Sequence, residues 1–164
     1  MPEVVSMHED TELKVIAWSC VLGVRWYDIP ALQSIARYRA LQARHLKLLD
    51  GNKAIVVSSS DASAERLNFD SGLRQAVEDV LRDGQSALFG MAQIVSGEGF
   101  GAASVRSVLS GIQLAVRPDY PVQLFGDSKS ATPWLEEILL EAGRPDLARE
   151  IGAVLLPELE RGRA

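Results

Sequence analysis

The chain has 164 residues, 47% of them hydrophobic and 24% charged, which is the composition of one ordinary globular domain. Its 17 basic and 22 acidic side chains give a formal net charge of −5, and this acidic balance disfavours nucleic acid as a partner. A single cysteine, Cys20, excludes an intrachain disulfide and a cysteine-based zinc site. The acidic N-terminal segment is unlike a secretion signal, and the apolar runs are too short to predict a membrane span. We therefore expect a cytoplasmic protein.

Short apolar runs bounded by polar turn residues predict the strands. They lie at residues 4–5, 13–22, 54–57, 87–95 and 122–125. A polar turn at residues 8–11 joins the first two runs as a hairpin, and Gly23 is predicted to end the second. The third run is fully apolar, which is typical of strands inside a parallel sheet.

Apolar residues at helical spacing predict a helix after each later strand. The stripes cover residues 32–40, 73–81, 105–116, 131–139 and 147–155. Asp28 before Ile29-Pro30 predicts the start of the first helix, because proline is tolerated in a first helical turn. Pro118 and Gly143 predict the ends of the third and fourth helices, and Pro145 predicts the start of the fifth.

The order of elements is therefore ββαβαβαβα with an extra C-terminal helix. Alternating strands and helices predict an α/β fold, with a mainly parallel mixed sheet flanked by helices. We assign this domain to residues 1–143 and a C-terminal helical extension to residues 144–164. The apolar stripe of the last helix must be buried, either against the domain or against a second copy, and we favour a homodimer contact.

Three passages resemble the STAS (sulfate transporter and anti-sigma factor antagonist) superfamily, including its divergent bacterial members. The turn at residues 68–73 resembles the family's Asp-Ser-Ser/Thr-Gly-Leu turn before a helix. Residues 105–111 are similar to the family's next helix, and residues 122–125 with 130–135 resemble its closing strand and Ala-x-x-Trp-Leu helix. The order of elements also resembles that of the family over about residues 1–140.

This resemblance implies a regulatory, non-catalytic module that binds a protein partner, such as a kinase or an anti-sigma-like regulator. In STAS antagonists the serine of this turn is phosphorylated, which makes Ser71 the phosphorylation candidate and Asp70, Gly72 and Arg74 the candidate partner-binding residues. The residues alone leave a simpler alternative open. Asp and Ser before an apolar helix are ordinary capping residues, and a cap needs no further function.

Two polar loops at predicted strand ends indicate an alternative function, the binding of a small ligand such as a nucleotide, a lipid or an anion. Ligands of parallel sheets bind beyond the carboxyl ends of the strands. The candidate residues are Ser58, Ser59, Ser60, Gly97, Gly99 and Gly101. Glycines before a helix let the backbone approach a phosphate, but they are equally frequent in turns for conformational reasons.

The residues that usually carry catalysis are scarce. His8 lies in the predicted hairpin, His45 near the end of the first helix is interpreted as a charge that favours the helix dipole, and Cys20 is predicted in mid-strand. We therefore predict no catalytic residues, no metal site and no cofactor. Residues 37–47 are locally basic and form either a solvated helix face or a docking site for an acidic partner.

Overall fold

The computed structural model describes residues 2–27, 30–61 and 70–162, and a six-stranded mixed sheet runs through its centre. The strands are β1 (Val5–Glu9), β2 (Leu13–Trp18), β3 (Val21–Trp26), β4 (Ala54–Asp61), β5 (Leu88–Ser96) and β6 (Val122–Phe125). They lie side by side in chain order, with β1–β2 and β2–β3 antiparallel and β3 to β6 parallel. The predicted α/β class with a mixed sheet is thus confirmed.

Helices cover both faces of the sheet. They are α1 (Leu32–Leu48), α2 (Ser71–Asp83), α3 (Phe100–Val116), α4 (Ser128–Glu141), α5 (Pro145–Glu150) and α6 (Leu155–Glu160). From β3 to β6, each new strand lies on the same side of the strand before it. Crossovers of one hand between such strands place the connecting helices α1, α2 and α3 on the same face of the sheet. Helices α4, α5 and α6 pack on the opposite face with their own hydrophobic cluster. The starts of α1 to α4 therefore all lie at the carboxyl edge of the parallel strands.

The predicted strand over residues 13–22 is wrong, because the chain turns in its middle. Ser19 and Cys20 form a two-residue turn between β2 and β3, and Trp18 pairs with Val21 across it. Both strands are buried on both faces, so the apolar run continues through the turn without the Gly, Asn or Asp that would mark it. Gly23 does not end a strand; it lies within β3, where a Cβ would come within 3.1 Å of the Ile16 and Leu159 side chains.

The predicted start of the first helix is shifted. Ala31 is the N-cap of α1, and its backbone N–H donates to Ser34 Oγ at 2.9 Å. Asp28 and Ile29 lie outside the described residues, as do Ala62, Ser63, Asn68 and Phe69 of the predicted loop and turn.

The single C-terminal helix is two short helices, α5 and α6, joined by a turn. Pro157 accounts for the break, because a proline has no N–H to donate and is tolerated only in the first turn of a helix. The stripe that we considered a dimer contact is covered by the chain itself, since Leu147, Ile151 and Leu155 are fully buried against α4 and the sheet.

Lys14 fastens the C-terminal helices to the sheet. Its side chain is buried, and its Nζ donates to the carbonyl oxygens of Glu158 at 2.6 Å and Arg161 at 3.2 Å. A cation is favourable at this position because the last carbonyls of a helix have no partner within the helix. The interaction joins α6 to β2, which precedes it by more than 140 residues.

Candidate functional site

The start of α2 has the predicted capping geometry. Asp70 is the N-cap in extended conformation, and its Oδ1 accepts a hydrogen bond from the Leu73 N–H at 2.8 Å. Ser71 is the first residue of the helix and is exposed. Within the described residues its hydroxyl has no hydrogen-bond partner. The cap is therefore complete without Ser71, and the serine hydroxyl is left facing solvent.

The two helices beside α2 begin with exposed apolar residues. Leu32 is the first residue of α1 and 56% exposed, and Phe100 is the first residue of α3 and 89% exposed. Leu32 approaches the turn closely, because its Cδ1 lies 4.0 Å from where a Cβ of Gly72 would stand. A large apolar side chain that is this exposed commonly marks a contact surface. Ser71 thus lies on a helix flanked by two apolar side chains at one edge of the sheet.

Gly72 and Arg74 complete this surface. A Cβ at Gly72 would lie 3.4 Å from Asp70 Oδ1, so the glycine leaves room around the cap. Arg74 is exposed, with its Nε 3.6 Å from Glu78, which also pairs with Arg82 at 3.5 Å. Arg82 also pairs with Asp79 at 3.6 Å, so both guanidinium groups of α2 have carboxylate partners.

The predicted serine loop is wrong in its structure, because Ser58, Ser59 and Ser60 belong to β4. Their side chains alternate between the two faces of the sheet, as strand geometry requires. Ser58 Oγ accepts a hydrogen bond from the Trp26 indole N–H at 3.2 Å, and Ser59 Oγ accepts one from Arg25 at 2.6 Å. Donors on β3 thus stabilise these polar residues inside the sheet. Their role as ligand-binding residues stays a prediction.

The glycine loop after β5 lies at the same edge. Gly97 and Gly99 have positive φ angles of 110° and 91°, which only glycine adopts without strain, and Gly99 is the N-cap of α3. Arg106 Nη2 donates to the carbonyl oxygens of Val95 at 2.7 Å and Gly97 at 3.0 Å. Gly101 lies in the first turn of α3. The backbone conformation therefore favours glycine at positions 97 and 99, and the binding of a ligand by the three glycines stays a prediction.

Gln93 was missed by the sequence analysis. It lies in β5 directly beside Ser58, it is 8% exposed, and its Oε1 has no hydrogen-bond partner within the described residues. A buried amide oxygen without a partner costs free energy, so it calls for an explanation. The available signal was one amide residue in an otherwise apolar strand.

The basic segment of α1 is largely compensated within the chain. Arg37 pairs with Asp10 at 2.7 Å, and Arg39 pairs with Asp83 at 2.6 Å. The hydrogen bond from His8, two backbone N–H groups and Arg37 together hold the pKa of Asp10 well below its usual value. Arg37 and Arg39 are therefore already paired within the chain, which weakens the interpretation of this helix face as a docking site for an acidic partner. A cavity of about 450 Å³ opens beside Arg39 and Asp83.

The two histidines and the cysteine lie apart from the α2 start. His8 hydrogen-bonds to Asp10 at 2.7 Å, in the β1–β2 hairpin. His45 is buried at the opposite edge of the sheet, with Nε2 3.0 Å from the Ser19 carbonyl oxygen. Burial lowers the pKa of His45, which disfavours the charge predicted at the helix end. Burial likewise raises the pKa of Cys20, which lies in the β2–β3 turn rather than in mid-strand.

The described part of the chain contains neither a metal-binding cluster nor a membrane-spanning helix. Among residues 2–27, 30–61 and 70–162, no three His, Cys, Asp or Glu side chains are grouped so that they would hold a metal ion. Over the same ranges, every helix is too short or too polar to pass through a bilayer. In comparisons with known proteins, no family model, no curated protein and no solved structure matches this chain.

Proposed function

We propose that the protein is a non-catalytic, STAS-like regulatory module that binds a protein partner through the start of α2 and is switched by phosphorylation of Ser71. The observation that carries the proposal is the exposed Ser71 hydroxyl, which has no partner among the described residues and lies on an intact helix cap flanked by exposed Leu32 and Phe100. A cytoplasmic kinase and an anti-sigma-like regulator are the partners that the STAS resemblance implies. The proposal does not need a second copy of the chain.

Phosphorylation would act on this surface through electrostatics. A phosphate adds close to two negative charges, and the free N–H groups of the first helical turn stabilise it there. Arg74, one helical turn after Ser71, would attract the phosphate, whereas the negative charge of Asp70 would repel it. A partner that packs on Leu32 and Phe100 would have to desolvate these charges, so phosphorylation should release it.

The experiment measures phosphorylation and partner retention in the organism's own cells. Phosphopeptide mass spectrometry should find phosphate on Ser71 in at least one growth state, and none on Ser128, which follows an equivalent cap. Wild type and Ser71→Ala should co-purify with the same protein, and Ser71→Glu should lose it. Ser110→Glu adds the same charge at an exposed position of α3 and should retain the partner. Absence of phosphate in every state, or equal retention by Ser71→Glu, contradicts the proposal.

A second candidate function is the binding of a small ligand at the same edge of the sheet. It is favoured by Gln93, which lies beside Ser58 and whose buried Oε1 has no partner in the part of the chain that the structure describes. A ligand that donates a hydrogen bond to this oxygen would remove the cost of its burial. A thermal-shift screen with nucleotides, lipids and phosphorylated metabolites tests this function. A compound that stabilises wild type but not Gln93→Leu supports it, and a screen without any such compound counts against it.

A further inference from the structure

On the face opposite Ser71, two polar residues meet at the carboxyl edge of the sheet. Arg25 on β3 and Ser59 on β4 are directly paired in register, and Arg25 Nη1 donates to Ser59 Oγ at 2.6 Å. Ser59 is fully buried and Arg25 is partly buried. The Arg25 Nε–H is shielded from solvent and has no acceptor within the described residues. This guanidinium is therefore only partly satisfied by the chain.

Among the described residues, the charge of Arg25 also lacks a counterion. Across residues 2–27, 30–61 and 70–162, no carboxylate oxygen lies within 4.0 Å of it. Its direct neighbour on β2 is Lys14, a second buried cation. Like charges directly opposite on adjacent strands repel, and a partly buried charge without a partner is costly. The two side chains therefore create a local excess of positive charge. The Lys14 charge is partly offset by the carbonyls of α6 and by a Glu158 carboxylate oxygen 3.9 Å away, whereas the Arg25 charge has no such partner among the described residues.

The helices on this face leave the end of the Arg25 side chain accessible. Helix α6 packs on β2 and β3, and Leu159 lies over Gly23, two residues before Arg25 on the same side of the strand. Ser128 at the start of α4 donates to the Glu160 carboxylate, so this acidic side chain of α6 is engaged by α4. Arg25 thus emerges at the end of α6, at the edge where parallel sheets bind ligands.

We propose that Arg25 and Ser59 form a binding site for a small oxyanion, either a carboxylate or a phosphate. The planar guanidinium presents several N–H donors in a geometry that matches both groups. Ser59 accepts from Arg25 and is fully buried, so its role in the site is to hold the guanidinium in place. The site lies on the other side of the sheet from Ser71 and is independent of the regulatory function proposed above.

The test is a titration of the full chain with sodium phosphate or sodium acetate at constant ionic strength, followed by ¹H–¹⁵N NMR of the arginine Nε–H and backbone signals. We expect saturable shifts at Arg25 and Ser59 with at least one anion. Tighter binding of phosphate indicates a phosphate ligand, and tighter or equal binding of acetate indicates a carboxylate. Failure of both anions to give a saturable shift at these residues overturns the proposal.

Variants separate this site from general charge effects. Arg25→Lys keeps the charge but not the fork and should weaken binding about tenfold, and Ser59→Ala should weaken it less. Arg44→Gln removes an exposed arginine of α1 and should leave the affinity unchanged. Equal affinity in Arg25→Lys, Ser59→Ala and wild type contradicts the assignment. Because the wild-type shifts identify the site directly, a variant that fails to fold does not decide the outcome.

Discussion

Two helices of this protein begin with the same two residues, and the molecule uses the two starts differently. Asp70-Ser71 opens α2 on one face of the sheet, and Asp127-Ser128 opens α4 on the other. Each aspartate caps its helix by accepting the N–H three residues later, at 2.8 Å in α2 and 2.7 Å in α4. The two aspartates therefore make the same backbone cap, to which α4 adds a hydrogen bond from the Ser130 hydroxyl to the Asp127 carbonyl oxygen.

The serines differ because their surroundings differ. Ser128 is partly buried and donates to Glu160, which ties the start of α4 to the end of α6. Ser71 is exposed, and no other helix reaches over it within the described residues to supply an acceptor. The comparison teaches that an Asp-Ser cap is structural by default. What sets the α2 start apart is the accessible hydroxyl with apolar neighbours.

The largest expected effect comes from truncating a buried apolar side chain near the start of α4 or α2. Leu159→Ala empties a fully buried site that holds α6 against β3, and it should cost about 2–5 kcal/mol of unfolding free energy. Leu73→Ala, in the first turn of α2, removes a side chain that is 6% exposed and should cost less, about 2 kcal/mol. Urea unfolding of both variants measures the difference. An equal or larger loss in Leu73→Ala would show that the α2 start is packed at least as firmly as the α4 start.

A pH effect from His45 is next in size. Its pKa in the folded protein is lower than the ordinary 6.5 because the ring is buried. The unfolded chain therefore binds the proton more readily, and stability should fall as the pH is lowered through 6.5, by up to about 1.4 kcal/mol per pH unit.

Unfolding free energies measured in urea between about pH 7.5 and pH 5.5 test this sign. The control is His45→Gln, which keeps a donor for the Ser19 carbonyl but has no titrating ring, and its pH dependence should be smaller over the same range. A pH dependence that is the same in this variant as in wild type assigns the effect to other groups.

Removing either cap should cost about the same. Asp70→Ala and Asp127→Ala each leave an N–H of the first turn without its acceptor, and we expect a loss of about 1 kcal/mol in each case. Asn at either position keeps an acceptor and should restore most of the stability. If the two alanine variants differ by much more than this loss, the caps are not equivalent and the comparison must be revised.

The smallest effect distinguishes the serines themselves. Ser128→Ala removes a hydrogen bond to a carboxylate and should cost about 1 kcal/mol, whereas Ser71→Ala should change stability by less than about 0.5 kcal/mol. A double-mutant cycle with Glu160→Gln isolates the Ser128 contribution. A stability loss in Ser71→Ala as large as that in Ser128→Ala would show that the Ser71 hydroxyl stabilises the fold, which would argue against its role as a switch.

The features that sequence could predict are those that depend on local spacing. The stripe of α2, its Asp70 cap and the strand Val122–Phe125 were all predicted, because each depends on residues close in sequence. The turn at Ser19 and Cys20 was missed because burial by later helices keeps both flanking strands apolar. Ser59 was placed in a loop because its partner, Arg25, lies 34 residues earlier.

The features of the candidate site likewise fall into those that local sequence could predict and those that it could not. The cap at Asp70 could be predicted from the sequence, but the exposure of Ser71 and the positions of Leu32 and Phe100 depend on how three helices are placed by the sheet. The unpartnered atoms of Gln93 and Arg25 could not be predicted either, since a missing acceptor becomes visible only when all neighbours are known.

The side-by-side placement of the strands in chain order has a consequence for how the protein assembles during synthesis. Each new strand adds to the edge left by the strand before it, so the growing chain need not wait for a distant segment to complete an interior position of the sheet. The exception is the last helix, whose carbonyls close on Lys14 near the beginning. This closure spans nearly the whole chain, so we expect it to be the final and slowest contact to form, and fusion partners at the C-terminus to interfere with it most.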